Sequence, residues 1–407
     1  MAEWRPVCEG ALVDEIRAAI LDIAAELRRT PFSDPSLTGG AGAAVFFSYA
    51  ARAFGDETLA RTSQALLDDA IGRAYDLSLP AGLYYGFSGL AWAIEHVAAA
   101  RPDDEENAHS EVDDALYEAL GVSPWAGSFD LVSGLVGIGV YALERSRSPV
   151  AMECARRIID RLGELARPSR GGLAWWSDPA FTDARAGADG HYDLGLAHGV
   201  PGVIALLGRA CTITDLRARA MPLLDGAVDW VLRNRTASGS ISNFPYNAER
   251  AAPARTAWCY GDPGVAAALL IAARAVGNAA WERTAIEVAR AAAVRAEDET
   301  GVVDAGLCHG AVGLAHLFSR FYHATGDAGF AEVARFWYGR ALRFRIPGSG
   351  LAGFLARNPT PDGAMAWVPS SGFLTGVVGI GLGLISGIAP ILPEWDRVLL
   401  CAIPARS

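Results

Sequence analysis

The sequence predicts an all-α fold: a closed double-layer barrel, or α/α toroid, of seven helical hairpins. Three observations predict it. A G-x-x-G signature occurs seven times, with first glycines Gly39, Gly86, Gly134, Gly199, Gly261, Gly310 and Gly376, at intervals of 47, 48, 65, 62, 49 and 66 residues. Each signature opens a small-residue, apolar run with almost no charge, and a charge-bearing amphipathic run separates each apolar run from the next. Self-similarity at this period marks a supersecondary unit that buries its apolar face only against its neighbours.

The amphipathic runs are residues 11–29, 58–75, 111–122, 150–166, 216–234, 280–299 and 330–344. Apolar residues at helical spacing with Arg and Glu opposite predict outer, half-solvated helices. The apolar runs are residues 42–54, 89–100, 134–144, 202–210, 264–276, 313–324 and 379–389. A helix apolar all round is one covered on all sides, so these form an inner layer. Seven such hairpins make an open solenoid or a closed ring. An inner set this apolar, with no polar capping repeat, favours the ring. Length alone suggests two or three domains, but the repeats make residues 1–407 one domain. The glycines allow a tight turn into each inner helix and close helix packing.

Three of the intervals are long, and their extra residues look strand-like or looped: 171–193, 238–258 and 349–369. All lead into the same end of inner helices, so they rim one mouth of the barrel, where a substrate site is expected.

Composition narrows the chemistry. The chain is 51% hydrophobic and only 20% charged, which excludes disorder. It contains no Lys, so all 35 basic residues are Arg; Schiff-base, phosphate-loop and Ser–Lys chemistry are excluded. A formal charge of −11 without a clustered basic footprint argues against nucleic acid. The first twenty residues carry acids and no apolar core, so no signal peptide is expected. Phe373 to Leu392 is uncharged for long enough to mimic a membrane span, but its glycines and Pro390 favour a buried helix. No transmembrane segment and a cytoplasmic location are expected.

Reactive side chains fall at the turns of repeats three to six. FDLVSG carries Asp130, GLAHG carries His198, RTAWCYG carries Arg255, Cys259 and Tyr260, and GLCHG carries Cys308 and His309. In a closed barrel these turns are neighbours. Cys259, Cys308 and His309 together make a three-ligand set of the kind that suits zinc with an open fourth position. Separately, a buried Cys is usually a small hydrophobe and a core His is usually only hydrogen-bonded; the repeat register supplies the weight. His96, His316 and His323 fall inside or after inner helices, and His109 in an acidic loop. His191 is close to the fourth turn, either supporting the site or solvated in a loop. Cys8, Cys154, Cys211 and Cys401 read as packing residues.

GLAHGVPG, WCYGDPG and LCHGAVG, with the seven turns and the closing PEWDRVLL, resemble the lanthionine synthetase C family, the lanthipeptide cyclases. The resemblance covers essentially the whole chain. It implies an α,α-toroid with one zinc ion, adding a Cys thiol of a precursor peptide to dehydroalanine or dehydrobutyrine to close a thioether ring. It implies zinc ligands at Cys259, Cys308 and His309, a catalytic histidine at His198, and further site residues at Asp130, Arg255 and Tyr260. Implied partners are the dehydrated precursor, a separate dehydratase (the chain has no kinase or lyase motif) and an export complex. Some cyclases carry an inserted module in the early repeats; intervals of 47 and 48 residues leave no room for it here.

The chemistry of the residues agrees. Addition needs a thiolate, whereas a free Cys is mostly protonated at neutral pH. It also produces an enolate that must be protonated, which suits His198 oriented by Asp130. Arg255 either stabilises the enolate oxygen or holds Asp130 in place. Two other readings are transfer of a small thiol such as glutathione to dehydroamino acids in proteins, and an inactive scaffold. Glycosidase and terpene-cyclase readings need paired carboxylates or aspartate-rich motifs that these turns do not carry.

Overall fold

The structure is a computed structural model that describes residues 4–98, 110–181, 189–237, 239–360 and 363–404. His109 and the predicted end of the second inner helix at Ala100 lie outside them. In chain order the helices are α1 (Ala11–Leu27), α2 (Gly40–Phe54), α3 (Glu57–Tyr75), α4 (Phe87–Ala98), α5 (Ser110–Ala119), α6 (Leu135–Glu144), α7 (Pro149–Leu165), α8 (Val200–Ala210), α9 (Thr214–Arg233), α10 (Asp262–Val276), α11 (Ala279–Ala293), α12 (Ala311–Thr325), α13 (Ala328–Arg343) and α14 (Val377–Ile388). The even-numbered helices are the predicted inner ones, and in α10 every residue from Asp262 to Ala273 is buried.

Each even-numbered helix packs against the next even-numbered helix, and α14 packs back against α2. The result is a closed α/α toroid. Its hairpins pair each inner helix with the outer helix that follows. The outer helix α1 has no inner helix before it, and it packs on α14. The seventh hairpin is therefore assembled from the two ends of the chain. Trp4 Nε1 donates to Ser386 O at 2.9 Å and the Cys8 N–H to Gly387 O at 3.1 Å, fastening the N-terminal segment to α14. The uncharged stretch at 373–392 forms this buried helix only over Val377–Ile388, and no helix among the described residues is long and apolar enough to cross a membrane.

The two layers start their helices differently. Four outer helices use side-chain caps: Asp56 before α3, Ser148 before α7, Asn278 before α11 and Asp327 before α13, each worth about 1 kcal/mol; α1 and α9 have none. Inner helices are preceded by glycine, and the carbonyls of their own turns take up the first free N–H groups. Leu135 N–H donates to Ser128 O, Val200 N–H to Asp193 O and Ala311 N–H to Asp304 O. A carbonyl brought so close leaves no room for a side chain. A Cβ on Gly134 would stand 2.2 Å from Ser128 O, and one on Gly137 2.3 Å from Leu131 O. Both glycines of G-x-x-G thus face their own turn. Close packing between inner helices falls to other glycines, such as Gly208 against Ala272 and Gly381 against Phe46.

The long intervals form four antiparallel strand pairs: β1 (Arg167–Ser169) with β2 (Gly172–Ala174), β3 (Trp176–Ser177) with β4 (His191–Tyr192), β5 (Pro245–Asn247) with β6 (Arg250–Pro253), and β7 (Ala356–Pro359) with β8 (Met365–Val368). After α14 the chain makes a 3-10 turn at Glu394–Leu399 that is buried inside the ring. Val398 O accepts from Tyr84 Oη and Leu399 O from Trp258 Nε1. Arg320 of α12 grips both oxygens of Asp396, at 2.5 and 2.7 Å, and Arg397 reaches Glu144 of α6 at 2.7 Å. PEWDRVLL is thus an internal plug, held by the buried helices through Arg320 and Glu144.

Candidate active site

Six backbone hydrogen bonds join the seven turns around the mouth. Thr38 N–H donates to Tyr84 O, Tyr84 N–H to Val132 O, Leu131 N–H to Ala197 O, Ala197 N–H to Cys259 O, Cys259 N–H to Cys308 O and Cys308 N–H to Leu374 O. From repeat two onward the ring passes through the residue two before the first glycine, or its immediate neighbour. Because backbone atoms form the ring, the side chains there are free to differ. In repeats five and six that residue is cysteine. The 3.2 Å bond from Cys259 N to Cys308 O sets them side by side.

His309 follows Cys308 directly. The Sγ atoms of Cys259 and Cys308 and a ring nitrogen of His309 all lie within 4.8 Å of one another. Cys259 is buried, and the other two are half-buried. The Cys308 thiol and the His309 ring, both directed at the Cys259 sulfur, hold Cys259 well below the usual thiol range. Cys308 is correspondingly pushed up by the charge beside it, and by burial. Burial pulls the His309 ring down, but its hydrogen bond to Cys259 outweighs this and raises it. Three donors converging on shared protons, two of them soft, fit one zinc ion. The positive ends of α10 and α12 lie beside them and favour the thiolate.

One turn further round the ring, His198 Nδ1 meets Asp130 Oδ2 at 2.5 Å. The second Asp130 oxygen accepts the Ser133 N–H at 2.8 Å. Burial pulls the His198 pKa down, but the bond to Asp130 and its charge win, and the ring is held above its ordinary value. His198 keeps 38% of its side chain exposed while Asp130 is buried. With Nδ1 engaged, Nε2 is the atom free to face a substrate.

Arg255 is not bonded to Asp130. Its Nε donates to Tyr246 Oη at 3.3 Å, and the same oxygen accepts the Arg255 N–H at 3.1 Å. Burial works against its charge, but the Tyr246 bond and the sulfurs of Cys259 and Cys308 raise its pKa. Of the two expected roles, holding Asp130 is not what this geometry provides.

A sequence profile of lanthionine synthetase C-like proteins matches residues 31–400. The chain belongs to that family. The solved nisin cyclase is similar over 95% of this chain and 97% of its own, at 20% identity and a TM-score of 0.75. A cellobiose 2-epimerase of Bacillus thermoamylovorans is similar over 92% of this chain and 98% of its own, at 11% identity and a TM-score of 0.49.

Two residues of this lanthionine synthetase C-like site escaped the sequence reading. Buried Asp193 accepts from Tyr260 Oη at 2.7 Å and from Gly195 N–H at 2.6 Å, with His191 Nε2 at 3.4 Å. Tyr260 is therefore tied into the turn, and burial with the Asp193 charge keeps its hydroxyl protonated. His191, half-buried on β4, belongs to this network and is not a solvated loop residue. Tyr246 of β5 is the other, 5.4 Å from the Tyr260 ring. A signal existed for Asp193: it stands six before Gly199, as Asp304 stands six before Gly310 and Ser128 six before Gly134. Each accepts the N–H two residues on.

The other cysteines, Cys8, Cys154, Cys211 and Cys401, are buried and free, as expected. His316, Asp396 and Cys401 also cluster. There Arg320 already neutralises the carboxylate, so the group does not suit a cation.

Proposed function

We propose that this chain is a zinc-dependent lanthipeptide cyclase that adds Cys thiolates of a dehydrated precursor peptide to dehydroalanine or dehydrobutyrine, forming thioether rings. The observation that carries the reading is the convergence of Cys259, Cys308 and His309 on one point, one turn from the His198–Asp130 pair. Those three residues would hold the zinc, which supplies a deprotonated but still nucleophilic substrate sulfur. The rest of the reaction falls to the chain's own residues.

The sulfur attacks the alkene β-carbon, and the π pair moves through the α-carbon onto the carbonyl as an enolate. Arg255 stabilises that oxygen with its terminal nitrogens, since Tyr246 occupies Nε. His198 delivers a proton from Nε2 to the α-carbon. Asp130 orients the ring and keeps it charged until that step. Tyr260 is a positioning residue: its bond to Asp193 fixes the turn that presents Cys259. Residues 1–407 act as one domain in the cytoplasm, receiving peptide from a separate dehydratase and passing it toward an export complex.

The test is to incubate the zinc-loaded protein with a dehydrated peptide containing one Cys, and to count free thiols. Thiol loss without mass change is the expected result. Addition of glutathione without ring closure would favour the small-thiol reading, and no thiol consumption of either kind would sink the enzyme reading.

A further inference from the structure

A cavity of about 160 Å³ opens beside the His198–Asp130 pair, on the side away from the cysteine turns. The insertion between α7 and α8 builds half of it: Arg167, Trp176, Ser177, Asp178 and Phe181 face Trp125 and Phe129 of the third turn. Trp125 Nε1 is already spent on Ser128 O at 2.9 Å, so that residue offers ring surface to the cavity. Trp176 is braced edge-on by Tyr192 at 5.0 Å and flanked by Arg167 at 5.9 Å. Its aromatic faces are thus fixed before anything binds. An apolar cavity of about 150 Å³ holds a benzene-sized molecule; the space here is comparable, with four aromatic residues offering apolar surface and with Arg167, Asp178 and Asp130 forming its polar edge.

We propose that this cavity is a subsite for an apolar side chain of the residue next to the dehydroamino acid, of leucine or phenylalanine size. The proposal rests on the cyclase reading. Protonation places the acceptor α-carbon at His198 Nε2, and the adjacent α-carbon follows about 3.8 Å away. A side chain starting there meets the cavity that His198 itself lines. The methyl of dehydrobutyrine is too small to fill it. The residues beside the attacking Cys lie on the other side, toward the turns of Cys259 and Cys308. Specificity for the acceptor's neighbour is therefore set by the insertion and not by the metal-site turns.

Two dehydrated peptides that differ only in having Leu or Gly on both sides of dehydroalanine test this. The Leu peptide is expected to show a KM on the order of 10-fold to 100-fold lower, the effect of burying one such side chain. Calorimetry with alanine replacing dehydroalanine should show the same ratio in Kd, without turnover. Trp176→Ala should raise the Leu peptide's KM to that of the Gly peptide. Phe181→Ala, at an exposed position, should shrink the ratio with no risk to folding. Equal KM and Kd for the two peptides in the unmodified protein would overturn the subsite. Failure to cyclise either peptide, with the Kd ratio intact, would instead overturn the cyclase reading and leave the subsite standing.

Discussion

The barrel holds one short His–Asp pair at its mouth and another inside, and the two behave in opposite ways. At the mouth, His198 meets Asp130, and its pKa is raised. Inside, His316 meets Asp396 at 2.7 Å, and its pKa is lowered by burial. Both contacts are short and both carboxylates are buried, so distance does not explain the difference. Burial does, with competition added to it. His316 is 1% exposed, against 38% for His198, so desolvation of its charged form dominates. Asp396 is also clamped by Arg320, whose charge pulls the His316 ring down further. A carboxylate keeps a proton on histidine only where burial and neighbouring cations do not outweigh it. One pair stands half-exposed at the mouth, and the other locks the plug.

Ways to break the comparison follow from the largest effect down. Cys308→Ala should remove the metal altogether: zinc content by atomic absorption falls from one per chain to near zero, and ring closure stops. Retention of full zinc and a normal rate would refute the ligand set. His198→Ala should lower kcat by about 10²–10⁴-fold, the usual worth of a positioned general acid, with zinc content intact.

Asp130→Asn sharpens the point through pH. With His198 raised, the rate should fall on the alkaline side with a midpoint above about 6.5. The variant removes the main groups that oppose burial and should move that midpoint downward. The same shift means that the pair stabilises the fold fully below the ordinary histidine value, and less as pH rises through the raised one.

Inside the barrel the sign reverses. Burial opposes the Asp396 charge, but Arg320 and His316 hold its pKa down to about 2. Its stabilisation is present above the ordinary carboxylate value and is lost as pH falls toward the depressed one. Asp396→Ala should cost about 3–5 kcal/mol in denaturant unfolding, since Arg320 is left buried and unpaired. Zinc content should not change. Tyr260→Phe is the mildest, about 1 kcal/mol for one buried hydrogen bond; a far larger loss would mean that Asp193 carries more of the turn than one bond.

Much of this was legible because repeats announce themselves locally. Gly39 to Gly376 mark every turn, and the register alone brought Cys259, Cys308 and His309 together. What escaped was non-local. Nothing in the periodicity of α1 says that it completes the hairpin of α14, because that partnership joins Trp4 to Ser386 across the whole chain. The plug was visible only as a closing motif; its bonds to Arg320, Glu144 and Trp258 depend on ring closure. Asp193 was readable from its fixed offset to Gly199, but an aspartate that also caps a turn looks like ordinary turn chemistry.

The ring of backbone bonds at the mouth separates construction from equipment. Position two before the glycine is Tyr84, Val132, Ala197, Cys259, Cys308 and Leu374 in successive turns, and the hydrogen bonds ask for none of these side chains in particular. The rim therefore works like a socket plate. Backbone bonds hold the sockets in register, and what each one carries is left to the sequence.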